Sequence, residues 1–246
     1  LPREASMKKL LRRNALTPDT VRRVAALVAD FHSHAQTSPE ITRLGGWETV
    51  EQNVQENFDQ TAKYIGATIT PEVYDDLRAY SEAFLDVRHS AFEQRAREGR
   101  IRDCHGDLHS AQIFIEDGIH IIDCIEFNER FRYSDVASDL AFLAMDLDFY
   151  GRHDLSRLLV ESYLATTGDS GLGRFLDFYK AYRAYVRGKV ESFRLDEPQL
   201  QAAERTRITG VARHYFDLAR GYTWPLHRPA LFVAAGLTGA GKTTVA

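Results

Sequence analysis

Apolar residues recur three and four apart behind Thr17-Pro18-Asp19, at Val21, Val24, Leu27, Val28 and Phe31, which is helical spacing. The tripeptide is a start signal: Thr accepts from freed N–H groups, Pro fits the first turn, and Asp suits the positive helix end. The pattern predicts a second helix over 47–64, ended by Gly66. A third starts near Pro71, with Val73, Leu77, Tyr80, Phe84, Val87 and Phe92 on one side. Past Arg100 the period shortens, and 100–104 reads as a strand. Residues 113–115 and 119–125 read as two strands joined by Glu116-Asp117-Gly118, whose Asp-Gly step suits a tight turn. Helices return over 135–150, 154–166, 172–193 and 197–222. Pro225 and Pro229 punctuate a linker, and 229–235 reads as a short apolar strand entering a glycine-rich turn. Gly45-Gly46 reads as a turn between helices.

Composition narrows the class. Hydrophobic residues are 44% and charged residues 27%, values that exclude a disordered tail or a fibre. With 31 Lys plus Arg against 35 Asp plus Glu, the net charge is −4, which argues against a dedicated duplex DNA binder, so no nucleic-acid partner is expected. The basic cluster Lys8, Lys9, Arg12, Arg13 could form a phosphate-binding patch, but a solvated helix face is the favoured reading. No apolar run approaches the ~20 residues of a bilayer span, so no membrane partner is expected. Cys104 and Cys124 are too few for a disulfide scaffold and read as small buried fillers on paired strands. No secretory leader is visible, and a cytoplasmic location follows. The start at Leu1 reads as that of a fragment. The pattern says nothing of oligomeric state.

The chemistry concentrates between the predicted strands. His105-Gly106-Asp107-Leu108-His109-Ser110-Ala111-Gln112 follows the first, and Ile121-Ile122-Asp123-Cys124-Ile125-Glu126 closes the hairpin. Phosphoryl transfer needs one carboxylate to orient or deprotonate the attacking hydroxyl, another to hold Mg²⁺, and an amide oxygen to complete the metal shell. Asp107, Asp123 and Gln112 fit these roles in that order. The plainer alternative makes Asp107 a turn residue and Asp123 a strand-end cap. The isoleucines around Asp123 count against it, because a carboxylate in apolar surroundings needs a cation. A metallophosphatase-like set of His105, Asp107 and His109 is disfavoured, since no Asn-His pair and no His-Glu-x-x-His occurs.

These residues resemble a known family. Cys-His-Gly-Asp-Leu-His at 104–109, with Asp-Cys-Ile-Glu-Phe-Asn at 123–128, is similar to the catalytic and metal-binding loops of aminoglycoside phosphotransferase-like kinases. The closest likeness is to a subgroup fused to a C-terminal P-loop ATPase or kinase domain. The resemblance implies an α+β, mainly α, protein-kinase-like fold: a large helical lobe with a small catalytic β-hairpin. It implies Asp107 as catalytic base, His105 as loop-positioning residue, and Asp123 as Mg²⁺ ligand beside Gln112. Asp135 or Asp139 would brace the catalytic loop by accepting its backbone hydrogen bonds. The cofactors implied are ATP or GTP with Mg²⁺, and the partners are the nucleotide and a small-molecule acceptor, aminoglycoside- or sugar-like. Glu126, Glu129, Asp146 and Asp148 would suit a cationic or polyhydroxyl acceptor. Two departures stand out. Gln112 replaces the family's Asn, adding about 1.5 Å of reach where metal sites tolerate little misplacement. Nothing before residue 100 resembles the family's β-rich N-terminal lobe, so that lobe is expected to be missing.

The last segment carries a second motif. Gly236-Leu237-Thr238-Gly239-Ala240-Gly241-Lys242-Thr243-Thr244 matches a P-loop, in which Gly236, Gly239 and Gly241 let backbone N–H groups curl round phosphate. Lys242 then reaches the terminal phosphates, and Thr243, followed by Thr244, offers a hydroxyl to Mg²⁺. The expected organisation is a kinase-like domain over 1–222, a linker over 223–228 and the start of a truncated P-loop domain over 229–246. The rival reading is a non-catalytic kinase-like module that binds nucleotide and regulates an attached P-loop ATPase.

Overall fold

The structure is a computed structural model, and it describes residues 2–223. Among them are helices α1 (Met7–Arg12), α2 (Pro18–His34), α3 (Pro39–Leu44), α4 (Trp47–Thr61) and α5 (Pro71–Arg97). After these come the short α6 (Glu129–Arg132) and then α7 (Val136–Phe149), α8 (His153–Thr167), α9 (Gly173–Phe193) and α10 (Ala202–Gly221). Three of the starts share one device. Thr17, Ser38 and Thr70 each stand before a Pro and accept the N–H of the third residue on, satisfying a donor that the helix itself leaves free. The α3 start, Ser38-Pro39-Glu40, carries the same signal as α2, although no helix was predicted there.

Strand β1 (Ile101–Asp103) pairs antiparallel with β4 (Tyr133–Asp135), and β2 (Ile113–Ile115) pairs with β3 (Ile119–Ile121). The class is therefore mainly helical α+β with two small antiparallel sheets. Three expectations need correction. The hairpin's second strand stops at Ile121, not residue 125, because the chain turns into the left-handed region at Asp123 (φ 64°). The first strand pairs with β4, a segment read as a helix start, and not with the hairpin. The last helix begins at Ala202, after a 3₁₀ turn over Arg194–Asp196 and the break at Pro198. One side-chain expectation also fails: Val87, at the edge of the α5 stripe, is 72% exposed.

The core forms around α7. Val136 to Asp148 are all buried, and a helix buried on every side, its few polar groups paired within the protein, belongs in the centre. It packs against α8 and α9, α2 lies on α8, and α10 lies on α9. A layer of aromatic rings joins α5 to α9, with Phe84 stacked on Phe178 at 4.3 Å and Phe92 edge-on to Phe175 at 4.8 Å. Among the described residues no helix is long and apolar enough to cross a membrane. This arrangement places the buried start of α7 directly under the loop that leaves β1.

Candidate active site

The 104–112 loop is held from below by two carboxylates of α7. Asp139 is fully buried, and its two oxygens accept the backbone N–H groups of His105 and Gly106, each at 2.9 Å. Asp146, two turns on, accepts the N–H of Ser110 at 2.9 Å. From α9, Arg183 donates to the Gly106 carbonyl at 2.9 Å and to Ser138 Oγ at 3.1 Å, with its guanidinium over the Phe142 ring. Gly106 takes φ 81°, and a Cβ there would sit 2.9 Å from the Phe131 carbonyl oxygen. Only glycine fits that turn.

Asp135 is occupied elsewhere. It caps α7 by accepting the Ala137 N–H at 2.8 Å, and it pairs with buried Arg95. Arg95 in turn holds Asp169. Of the two bracing candidates, Asp139 is the one bonded to the loop.

The hairpin brings up the second carboxylate. Beyond β3, the Ile122 N–H donates to the Gln112 carbonyl, and the Ile125 N–H donates to the His105 carbonyl, both at 3.0 Å. His105 completes the tie. Its Nδ1 accepts the Asp107 N–H, which leaves the proton on Nε2 for the Ile122 carbonyl at 2.9 Å. At the junction, Gln112 Nε2 donates to Asp107 Oδ2 at 3.3 Å and to Asp123 Oδ2 at 3.1 Å. The two carboxylates therefore meet on one amide. Asp123 makes no ion pair with any described residue, so its apolar neighbours have not brought it a basic side chain. Its φ of 64° costs an L-residue roughly 1 kcal/mol.

His109 is a partner that the sequence reading did not assign. Its Nδ1 accepts the Ala111 N–H, leaving Nε2–H to face Asp107 Oδ2 at 3.3 Å. Burial pushes the Asp107 carboxyl's pKa up. The His109 donor, the Gln112 amide and the Arg187 charge outweigh burial and hold it below 3.8. Asp139 follows the same rule: burial pushes its carboxyl's pKa up, while the hydrogen bond with His32 and the nearby Arg183 guanidinium help pull it further down.

His32 was also missed. It lies at the end of α2, donating or accepting at Tyr163 (2.9 Å) and Asp139 (3.3 Å). The available signal was its register, four residues after Val28 on the apolar stripe. No comparable signal marks Arg183 within its aromatic-rich helix. His32, Cys104 and Asp139 could together hold a metal, but each already has a protein partner, Cys104 donating to the Ser134 carbonyl. Cys124 is exposed, not the buried filler expected.

The loop separates two cavities. One, about 700 Å³, lies between α2 and the hairpin and is lined by Asp123 and His105. The other, about 470 Å³, lies among α4, α6 and α9 and opens on Gly106 and Asp107. The four acidic residues expected to attract a cationic acceptor do not line this second cavity. Asp146 holds Ser110, and Asp148 is buried against Lys180, Tyr222 and His153. The P-loop residues Gly236, Gly239, Gly241, Lys242, Thr243 and Thr244 lie outside the described residues.

Comparison with known proteins adds a family and a fold. The family model described as "Phosphotransferase enzyme family" matches residues 7–185. Uncharacterized proteins of Mycobacterium bovis and Mycobacterium tuberculosis are 34% identical over 224 residues, 91% of this chain. The chain spans 44% of the length of these curated relatives. Two crystal forms of a glucosamine kinase share the fold, at 14% and 15% identity. Their TM-scores are 0.51 and 0.52, over 90% and 84% of this chain and 57% and 55% of theirs.

Proposed function

Because the chain belongs to the phosphotransferase enzyme family, we propose that it carries the phosphoryl-transfer site of a small-molecule kinase. The donor is ATP or GTP, and the acceptor is a hydroxyl of an aminoglycoside- or sugar-like compound. The observation that carries this reading is the convergence of Asp107 and Asp123 on Gln112, with Asp107 lining a cavity large enough for a sugar and Asp123 lining the cavity on the other side of the loop.

Asp107 is the base in this scheme. Its depressed pKa keeps it ionised at neutral pH, so it orients the acceptor hydroxyl and takes the proton late in transfer. The hydroxyl oxygen forms the new bond to the γ-phosphorus, the bond to the β–γ bridging oxygen breaks, and the nucleoside diphosphate leaves. His109 and His105 fix the Asp107 carboxylate and backbone. Asp139 and Arg183 fix the loop. Preorganisation of this kind accounts for most of such catalysis.

The donor set suits Mg²⁺, a hard cation that takes oxygen ligands. Asp123 would hold it with a carboxylate that no described basic side chain pairs, and Gln112 would add its amide oxygen. When bound, the ion neutralises charge on the phosphates. The P-loop motif at 236–244 is read as the start of a second nucleotide site.

A second reading is favoured by one contact. Gln112 Nε2 bridges the two carboxylates, an arrangement that satisfies them without a metal and suits a non-catalytic regulatory module. Calorimetric titration of ATP with and without Mg²⁺, with transfer assayed in Asp107→Ala and Lys242→Ala, separates the two. The kinase reading expects Mg²⁺-dependent binding, and transfer lost in Asp107→Ala with binding kept. Turnover that ignores Asp107 and follows Lys242 would overturn it.

A further inference from the structure

The cavity beside Asp107 is basic. Arg130, Arg183, Arg187 and Lys189 line it, against the carboxylates of Asp107 and Glu56 alone. Glu56 is consumed by Arg130 through two parallel hydrogen bonds of 2.7 Å. Asp107 is shared by His109 and Gln112. Lys189 is held by Asn57 Oδ1 and Gln60 Oε1, uncharged groups that leave its positive charge unneutralised. Arg187 lies with its guanidinium over the Tyr215 ring. Neither Lys189 nor Arg187 makes an ion pair with a described residue, although Asp146 and Asp107 lie near enough to act on the Arg187 charge. Burial holds the Lys189 ammonium below its ordinary pKa; Arg130 adds to that, against the pull of Glu56. An anion in the cavity would relieve this.

The same wall holds polar atoms without partners. Asn53, Ser134 and Tyr179 line the cavity, and their Oδ1, Oγ and OH atoms, sealed within the wall, have no hydrogen bond among the described residues. Asn53 is 9% exposed and Tyr179 only 2%. A buried polar atom left without a hydrogen bond costs about 1–3 kcal/mol, so a polyhydroxyl ligand toward which these side chains turn would relieve that cost.

We infer that the acceptor is an acidic sugar, a polyhydroxyl molecule carrying a carboxylate or phosphate group. Its anion lies against the α9 cations, and one of its hydroxyls lies at Asp107. An amino sugar would bring a cation into a site that already holds an excess of positive charge. The inference rests on the kinase reading for the role of the cavity, but its test needs neither nucleotide nor transfer.

The experiment is calorimetric titration of the full 246-residue chain with glucuronate, glucose 6-phosphate, glucose and glucosamine at low ionic strength. The acidic sugars should bind at least about tenfold tighter than the other two, an effect set by charge complementarity. Arg187→Gln/Lys189→Gln should abolish the preference. Lys63→Gln, at a surface pair with Asp196 outside the cavity, should keep it. Preference for only one acid identifies the anionic group and supports the inference. No binding of any of the four, glucose or glucosamine binding as tightly as the acids, or a preference surviving in the double variant overturns it. If the double variant fails to fold, the ranking on the unaltered chain still decides. A chain that binds acidic sugars and transfers nothing fails the kinase reading alone, whereas phosphorylation of glucosamine in preference to the acids sinks this inference alone.

Discussion

The loop bearing Asp107 and the segment bearing Asp123 meet at one amide, yet the fold holds them by different means. The first is tied to the interior. Leu108 and Ser110 are buried, two α7 carboxylates take its N–H groups, and Arg183 takes a carbonyl. The second is open to solvent, with Ile122 at 40% and Phe127 at 83% exposure. Its principal ties, from Ile122 and Ile125 to Gln112 and His105, run to the first loop. Order therefore passes in one direction. The core positions the Asp107 loop, and that loop positions Asp123.

The largest effect belongs to the inner loop's own chemistry. Asp107→Ala should lower phosphoryl transfer by about 10²–10⁴, the usual contribution of a positioned base, measured by single-turnover transfer from ATP. Asp107 is half-buried and its carboxylate is bonded to the His109 and Gln112 side chains, not to the backbone of the loop, so thermal unfolding should change little. A variant that transfers at the parent rate would break the assignment of the first loop to chemistry.

The direction of support is tested next. Asp139→Ala removes the acceptor of two buried N–H groups and the partner of His32. It should cost about 3–5 kcal/mol, measured by urea unfolding. Hydrogen exchange should quicken at His105 and Gly106, and also at Ile125, which hangs from the His105 carbonyl. Asp123→Asn should leave the exchange of His105 and Gly106 as it was. If it loosens them equally, support runs both ways.

Acid loads the same contacts more gently. The carboxyls of Asp139, Asp148 and Asp169 are all held below 3.8 in the folded chain, despite burial. A carboxyl depressed on folding stabilises the fold above its unfolded pKa, and that stability is lost as pH falls through the folded one. Stability should hold through neutral pH and decline below about 4, as followed by circular dichroism. Asp139→Asn should flatten that decline. A decline that begins near pH 6 instead would point to histidine protonation.

Much of this was legible in the chain. Helical spacing located α2 and α5, with Thr17-Pro18-Asp19 marking the start of the first and Pro71 that of the second, and the shorter period with Asp117-Gly118 located the hairpin. The pairing of β1 with β4 was not, because two three-residue strands some thirty positions apart carry too little pattern to announce each other. Asp107, Asp123 and Gln112 were visible as types at a spacing, and the structure brings them together. Invisible were the charges that face them. Arg183, Arg187 and Lys189 lie in one long amphipathic helix, where sequence cannot tell an Arg facing solvent from one facing a cavity. The acidic residues near the motif misled for the converse reason: Asp146 and Asp148 are spent inside the protein.

The finest contrast lies in two left-handed residues. Gly106 (φ 81°) and Asp123 (φ 64°) share a backbone region, one in each loop. Gly106→Ala places a Cβ against the Phe131 carbonyl and the Arg132 Cα, both backbone that cannot step aside. It should destabilise by at least about 1–2 kcal/mol from the left-handed penalty alone. Asp123→Gly has the opposite sign. It relieves a strained φ at an exposed position whose carboxylate, among the described residues, is hydrogen-bonded by the Gln112 amide alone. The gain is partly offset by the extra freedom of glycine in the unfolded chain, so the net change should be within about 0.5 kcal/mol, neutral or stabilising. Mg²⁺-dependent nucleotide binding should nonetheless disappear. Parallel urea melts and Mg²⁺ titrations of the two variants check this. If Asp123→Gly instead unfolds the chain as readily as Gly106→Ala, Asp123 is a structural turn residue and its strain has no function.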